Sequence, residues 1–484
     1  MDRLNGTEYP FRHFRVLDAF LRSPWYVLLV GCLTAASSLF ALELPVYTAF
    51  VLIGICVCLW GSDLLALMPL IICAYVSPSP GNNPGRNPDS VFYPGNGGIY
   101  ILFLLAIFAA ALLLRLIRDP EFGGIRFWKV RRRLLPGMLL LCGAYLLSGL
   151  GMQDYGAVWP GNLIFALIQS ASLLLVYVLF TGAVDWANAP RCYLAWTALT
   201  VGFVVLFQLL ENYISGRIFM EGTATIDREL MYTGWGMHNN IGLMMAMTMP
   251  FAFCLATQSR RSWAYILLGV LLLAGVIASC SRTSMIVAIL AFCVSMAILL
   301  RRSGNKRLFL GGIFLAALLV ALGIMLMWSR LMDAFRLFFE ELLAISSRDK
   351  IYVNGLKQLL QYPVFGGSFY PQTEYVPWDW AELEAFSAFF PPRWHNTWIQ
   401  IGASCGFVGL SAYVYHRIQT IRLLTRSVTP EKQFVAISLA VLLAACLLDC
   451  HFFNVGPVLF YSMALAYAEN VGRADSGYEN CPIR

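Results

Sequence analysis

A histidine stands where the longest polar stretch of a very apolar chain meets a hydrophobic segment. Arg393, Trp394, His395 and Asn396 precede an apolar stretch that begins at Thr397. Unpaired N–H groups at the start of a helix, together with the helix dipole, favour anions. The same positive helix end disfavours the imidazolium, so we expect a neutral His395 that can accept a proton. Arg393 and Asn396 are candidates for substrate binding beside it.

Two further arginines could hold an anionic group near His395. Arg282 follows Ser281 in a very short turn between two apolar segments, which keeps its side chain close to the membrane surface. The alternative is an arginine that reaches lipid phosphates. Arg348 begins a helix-like segment, where a cation opposes the helix dipole, so we predict that it points at a ligand. Guanidinium groups pair bidentately with anions such as phosphate.

Other polar residues are weaker candidates. Arg217 and Arg228 lie ahead of the eighth apolar segment and would extend a cationic surface. His238 and Asn239 enter that segment, where they could bind sugar hydroxyls, although helix capping by the asparagine is an equal alternative. The one acidic cluster is interpreted as a solvated surface, so we expect no metal site. It consists of Asp379, Glu382 and Glu384.

The whole chain has the composition of a helical membrane protein. Of its 484 residues, 59% are hydrophobic and only 13% are charged, whereas soluble domains carry about 25% charged residues. Apolar runs of bilayer-crossing length recur along it. We therefore predict an all-α fold, a polytopic transmembrane helical bundle of about 12–14 spans. The predicted spans are roughly 24–42, 45–61, 63–77, 98–117, 134–151, 162–182, 192–212, 238–257, 263–280, 284–300, 308–328, 396–415, 433–450 and 455–469.

Lys and Arg are distributed unevenly over the segments between these spans. If the N-terminus is inside, the inner segments hold 24 of the 34 basic residues. This bias predicts that both termini are cytoplasmic. The outer segments hold ten, and six of these lie in residues 329–394. The net charge of +7 therefore reflects topology and is no evidence for nucleic-acid binding.

The large outer loop, residues 329–394, contains helix-like patterns. Apolar residues between 331 and 342 recur at helical spacing, which predicts a short amphipathic helix on the membrane surface. Ser347 begins a second helix with a capping pattern, and Pro363 ends it. Residues 78–97 are rich in Pro, Gly and Asn and are predicted to be a plain surface loop.

These residues resemble the signature of the O-antigen ligase and O-antigen polymerase superfamily, which includes bacterial O-oligosaccharyltransferases. In that family the large outer loop ends in His, then Asn, Ser or Gln, then nine residues and G-x-x-G. Here His395, Asn396, Gly406 and Gly409 fill the pattern. Weaker similarities are the Ser281-Arg282 turn, Arg348 ahead of Pro363, and the helix entry at His238, Asn239 and Asn240.

The resemblance extends over about residues 230–460 and suggests a division of the chain. Residues 1–230 would form N-terminal transmembrane helices, and residues 231–470 a ligase- or polymerase-like region that includes the loop 329–394. Residues 471–484 would be a cytoplasmic tail.

The resemblance implies a glycosyltransferase at the outer face of the bacterial cytoplasmic membrane. The donor would be a glycan on undecaprenyl pyrophosphate, and the acceptor a hydroxyl of a glycan, a lipid or a protein. Transfer would need neither a metal nor another cofactor. His395 would be the general base, with Arg282 and Arg348 on the diphosphate. The predicted substrate-binding residues are Arg393, Asn396, His238, Asn239 and Arg217.

An alternative function is a lipid-linked oligosaccharide flippase or a polysaccharide exporter. Such proteins also have about a dozen or more membrane helices, and they use charged groups inside a central cavity. The middles of the predicted spans hold few charged residues. This distribution favours transfer over transport.

Overall fold

The computed structural model of this chain is a bundle of apolar α-helices. It describes residues 15–82, 89–122, 124–153, 155–219, 226, 230–234, 236–303, single positions between 307 and 325, 347–370, 393–426 and 428–471. Within these ranges, six helical stretches are long and apolar enough to cross a membrane. They are Glu43–Trp60, Gly98–Arg118, Tyr155–Gly182, Tyr193–Ile214, His238–Gln258 and Arg282–Arg302. The all-α membrane fold is therefore confirmed, while a total of about 12–14 spans stays a prediction.

The helices are numbered in chain order. The first half contains α1 (Arg15–Leu21), α2 (Pro24–Phe40), α3 (Glu43–Trp60), α4 (Leu67–Val76), α5 (Gly98–Arg118), α6 (Leu135–Leu146), α7 (Tyr155–Ser170), α8 (Val176–Gly182) and α9 (Tyr193–Ile214). A π-helical turn, Ala171–Leu175, joins α7 to α8. Between α5 and α6, strands β1 (Glu121–Phe122) and β2 (Ile125–Arg126) pair antiparallel.

The second half carries the residues singled out above. Its helices are α10 (His238–Thr248), α11 (Pro250–Gln258), α12 (Ser262–Ala278), α13 (Arg282–Ser303), α14 (Ser347–Gln361), α15 (Thr397–Thr425), α16 (Pro430–Ala445) and α17 (Val455–Val471). A 3-10 turn, His451–Phe453, lies between α16 and α17. The second loop helix predicted from Ser347 to Pro363 is confirmed as α14.

Among the helices that are shorter than the spans predicted for them, α4 and α6 have a local structural explanation. α4 begins at Leu67 because the Asp63 carboxylate accepts from Leu65 N (3.1 Å) and Asp185 N (2.9 Å), which folds the preceding residues into a turn. α6 ends at Leu146, since Gly149 and Gly151 soon follow with φ of 79° and 98°. Such φ values leave the right-handed helical region.

α15 is longer than the predicted span 396–415 and contains a kink at Gly406 (φ 64°, ψ −160°). It therefore includes Arg417, which the basic-residue count above assigned to an inner loop. Arg417 is 7% exposed. Its guanidinium carbon lies 4.3 Å from the centroid of the Tyr413 ring and 4.2 Å from that of Phe452, and Nη1 donates to Tyr461 Oη (2.7 Å). Aromatic rings thus take the place of water around this cation.

Some predicted features lie outside the described residues. These are the amphipathic helix between 331 and 342, the acidic cluster of Asp379, Glu382 and Glu384, Arg228, and much of the predicted span 308–328. The segment 78–97 is described at 78–82 and 89–97, and part of it is buried instead of lying on the surface. Ser79 N, for example, donates to Glu43 Oε1 (2.8 Å).

Candidate active site

The segment that carries His395 is fixed by the start of α15. Asn396 is the N-cap, and its Oδ1 accepts from Trp398 N (2.9 Å) and Ile399 N (3.2 Å). Its Nδ2 donates to Leu447 O (2.8 Å). Asparagine is a favoured N-cap because its side-chain oxygen satisfies N–H groups that have no partner within the helix. Asn396 therefore holds the segment in place, and its predicted contact with substrate stays a prediction.

The backbone of His395 is left-handed, with φ 47°. Few non-glycine residues adopt this conformation, although histidine is enriched among those that do. Tyr352 of α14 donates from Oη to His395 O (3.2 Å). The preceding residue, Trp394, is buried, and its N donates to Gln400 Oε1 (3.0 Å). Neighbours on both sides thus fix the backbone, while the imidazole remains 31% exposed.

The imidazole of His395 faces an aspartate that the sequence did not single out. His395 Nδ1 lies 3.4 Å from Asp449 Oδ1. Burial by itself raises the pKa of Asp449, but His451, His395 and the Cys450 N–H together hold that pKa well below its usual range. The carboxylate is therefore ionised at neutral pH. We call these two residues the His395–Asp449 pair.

A second contact of Asp449 reaches the turn that precedes Arg282. Asn239 Nδ2 donates to Asp449 Oδ2 (3.4 Å), and Asn239 Oδ1 accepts from Ser281 Oγ (3.0 Å). Arg282, the next residue, is exposed and begins α13. The left-handed φ of Cys280, 55°, makes this turn tight. The predicted residues Asn239 and His395 thus meet on one carboxylate, and the Arg282 turn is joined to them through Ser281.

Helix α14 brings the position of Arg348 towards the same segment. Arg348 lies one helical turn before Tyr352, whose hydroxyl bonds the His395 carbonyl. The side chain of Arg348 is outside the described part of the chain. Gly355 allows the close approach of α14, because a Cβ there would lie 2.5 Å from Ile399 Cγ2 and 3.3 Å from Trp394 Cδ2.

Arg393 contacts the last residue of the 3-10 turn His451–Phe453. Its Nη2 donates to Phe453 O (3.2 Å), and its guanidinium carbon is 5.4 Å from the centroid of the Phe165 ring. Burial lowers the pKa of Arg393, although Cys450 and Asp449 oppose this effect. The guanidinium nevertheless stays protonated, as arginine does in proteins.

The remaining predicted residues lie at the two ends of the connection between α9 and α10. His238 is buried and is the first residue of α10, next to Asn239. Arg217 follows α9 and forms an ion pair with Glu211 (Nη2–Oε1 3.2 Å). The predicted role of Arg217 in a cationic surface stays a prediction.

The glycine pattern after His395 has a steric explanation. A Cβ at Gly406 would lie 2.3 Å from Val364 O, and a Cβ at Gly366 would lie 2.3 Å from the Ser404 carbonyl carbon. The chain leaving α14 therefore crosses α15 in direct backbone contact at the kink. Three backbone hydrogen bonds hold this crossing: Phe407 N to Pro363 O (2.8 Å), Val408 N to Val364 O (3.2 Å) and Gly367 N to Ala403 O (2.7 Å).

The chain between residues 370 and 393 is thus held at both ends. On one side, Phe369 N donates to Asn162 Oδ1 of α7 (3.1 Å). On the other, Arg393 and Trp394 make the bonds to Phe453 O and Gln400 Oε1 given above. The position of His395 therefore depends on helices of the bundle.

The arrangement fits acid–base chemistry on a neutral hydroxyl. A carboxylate beside one ring nitrogen orients an imidazole and stabilises the imidazolium that forms when the other nitrogen accepts a proton. The fold and the site define a polytopic membrane protein with a histidine–aspartate pair. His395 lies just before α15, and Asp449 lies just after α16.

Residues 267–414 match the family model described as O-antigen ligase. The match confirms the resemblance to the O-antigen ligase and polymerase superfamily and supports a membrane glycosyltransferase in general terms. Arg282, Arg348 and His395 lie inside the matched range, whereas Asn239 and Asp449 lie outside it. No curated protein matches the chain.

Proposed function

We propose that the protein transfers a glycan from an undecaprenyl-pyrophosphate carrier to an acceptor hydroxyl at the outer face of the bacterial cytoplasmic membrane. The family match supports the general reaction class. The observation that carries the residue roles is the carboxylate of Asp449, which lies 3.4 Å both from His395 Nδ1 and from Asn239 Nδ2. A candidate base and the turn before Arg282 therefore belong to one connected cluster.

In this reaction His395 removes the proton of the acceptor hydroxyl. Because Nδ1 faces Asp449, Nε2 is the nitrogen that accepts this proton. The acceptor oxygen forms a bond to the anomeric carbon of the donor sugar while the bond from that carbon to the diphosphate oxygen breaks. General base catalysis of this kind contributes roughly 10²–10⁴-fold.

The leaving group is an undecaprenyl diphosphate, which departs as an anion and needs no proton. Arg282 and Arg348 are proposed to neutralise the charge that develops on it, since guanidinium groups pair bidentately with phosphate oxygens. Arg393 is the third candidate cation of this site. His238, Asn239, Asn396 and Arg217 remain proposed substrate contacts.

A transport function finds less support in the described residues. A flippase needs charged side chains that face a path across the membrane. Arg417, a cation well inside α15, is enclosed by Tyr413, Phe452 and Tyr461 instead. Its burial is that of a packed core residue.

The test is the variant His395→Ala in a strain that lacks the chromosomal gene. We expect transfer to fall by about 10²–10⁴-fold, while the lipid-linked glycan accumulates on its carrier. The matched control is His416→Asn, which changes a buried histidine of α15 that is bonded to Tyr461 Oη (2.9 Å). Full transfer by His395→Ala, with protein levels equal to wild type, would overturn the proposal.

A further inference from the structure

A second histidine approaches the carboxylate of the His395–Asp449 pair. His451 is 1% exposed and begins the 3-10 turn between α16 and α17. Its Nε2 lies 3.8 Å from Asp449 Oδ2, and its Nδ1 lies 3.1 Å from Asn240 Oδ1. One carboxylate therefore lies between two imidazoles, with His395 at Oδ1 and His451 at Oδ2.

The neighbours of His451 determine which of its nitrogens carries the proton. Asn240 Oδ1 accepts a hydrogen bond from Asn454 Nδ2 (2.7 Å), so it is the acceptor end of the amide. His451 Nδ1 then donates to this oxygen at 3.1 Å, which is closer than Asn454 Nδ2 at 3.4 Å. In the neutral ring, Nε2 is left with its lone pair towards Asp449 Oδ2. A second proton, if bound, would lie between His451 and the carboxylate.

We propose that His451 is a positioning residue that controls, through Asp449, how strongly His395 accepts a proton. This inference rests on the proposed function. When His451 is neutral, the charge of Asp449 acts on His395 and stabilises the imidazolium that forms during transfer. When His451 is protonated, its own charge offsets that of Asp449, and His395 loses this stabilisation.

Among the described residues, three charged or titratable groups act on His451. Asp449 precedes it in the same connection, and His395 and Arg393 approach from the segment before α15. Burial lowers the pKa of His451, Asp449 opposes this effect, and Arg393 and His395 add to it. His451 is therefore neutral at neutral pH and gains its charge only in more acidic solution than an ordinary histidine does.

The consequence is a distinct pH dependence of transfer. Wild-type activity requires that His395 is unprotonated and also that His451 is neutral. Two protonations then reduce the rate, so the acid limb of log rate against pH steepens from a slope of about one towards two. His451 exchanges no proton with the substrate, so the balance of the transfer step is unchanged.

Two uncharged replacements test the two ring nitrogens of His451 separately. His451→Asn keeps an N–H near the Nδ1 position towards Asn240 and leaves nothing towards Asp449. His451→Gln keeps an N–H near the Nε2 position towards Asp449. Neither side chain titrates. His416→Asn is the control for loss of a buried histidine.

The assay uses membranes of the deletion strain, which supply the accumulated lipid-linked glycan and the native acceptor, with purified protein added in detergent between pH 5 and 8. At pH 7.5, where His451 is neutral, we expect His451→Asn to transfer glycan at close to the wild-type rate. His451→Gln should be slower, because its N–H towards Asp449 offsets part of the charge that acts on His395. Both variants should keep an acid-limb slope of about one at every pH.

The possible results distinguish a failure of the proposed His451 role from a failure of the proposed function. If both variants keep the steep wild-type acid limb, or lose activity equally at all pH values, the role of His451 is refuted. If His451→Asn fails to fold, the slope measured for His451→Gln decides alone. If His395→Ala remains active, the proposed function itself fails, whatever the His451 variants do.

Discussion

Replacement of Asp449 by asparagine removes one negative charge beside His395 and keeps the side-chain volume. Two unit charges about 4 Å apart interact by ~4 kcal/mol at an effective dielectric constant of 20. The distance from His395 Nδ1 to Asp449 Oδ1 is 3.4 Å, but the two side chains are 31% and 18% exposed, so solvent screens part of this energy. We take about half, ~2 kcal/mol, as the loss of imidazolium stabilisation.

A loss of ~2 kcal/mol in the transition state corresponds to a rate about thirtyfold lower. We expect kcat of Asp449→Asn to fall by that factor, with little change in KM for the donor, because the charge matters most after His395 accepts a proton. Initial rates of glycan transfer at pH 7.5 give the comparison. Asp185→Asn is the control, since Asp185 is also buried but pairs with Asn188 (2.6 Å).

A double variant tests whether the aspartate acts through the histidine. In the His395→Ala background, Asp449→Asn should add almost nothing to the loss, since the group that it assists is gone. A full thirtyfold effect in that background would refute the reasoning. So would a single variant whose rate lies within twofold of wild type.

Further predictions concern the stability of the fold and the proposed diphosphate site. The low pKa of folded Asp449 stabilises the fold above the unfolded pKa of about 3.9, so the Tm difference between wild type and Asp449→Asn should shrink as pH falls below 4. Gly406→Ala should lower the yield of folded protein, whereas Gly143→Ala, where nothing lies within 4 Å, should not. Asn396→Ala should cost ~1 kcal/mol, read as a lower Tm than that of Asn396→Asp, which keeps the cap. Arg282→Lys should reduce glycan transfer at least about tenfold, because lysine cannot bind a diphosphate bidentately.

The control for the Arg282 prediction is Arg301→Lys. Arg301 is exposed in the last turn of α13, the helix that Arg282 begins. A hydrogen bond to a charged group contributes roughly 1.5–3 kcal/mol, and the lysine at position 282 would lose one of two such bonds. Equal transfer rates for the two variants would remove Arg282 from the proposed diphosphate site.

The fold was largely predictable because the length of each apolar segment can be read directly from the local sequence. The capping pattern at Ser347 and the stop at Pro363 predict α14 to within a residue or two. The predicted start of α4 and the predicted end of α6 were wrong, because Asp63 and Gly149 act through contacts and backbone angles that hydrophobicity does not report.

The candidate site was only partly predictable. His395 could be found from its place at a helix start, and the tight Ser281-Arg282 turn from its length. Asp449 was missed because it contacts His395 only after α15 and α16 have packed, and no local pattern marks it. An acidic residue near the end of the predicted span 433–450 was the available signal.

The segment between Tyr370 and Arg393 is attached to the helical bundle at both ends, so its sequence can be exchanged without moving those ends. Asn162 holds one end and Phe453 the other, and neither residue belongs to the exchanged stretch. A chimera that carries a different sequence at 371–392 should therefore keep its histidine in register. The sequence of this segment can thus change while the helices that hold His395 stay the same.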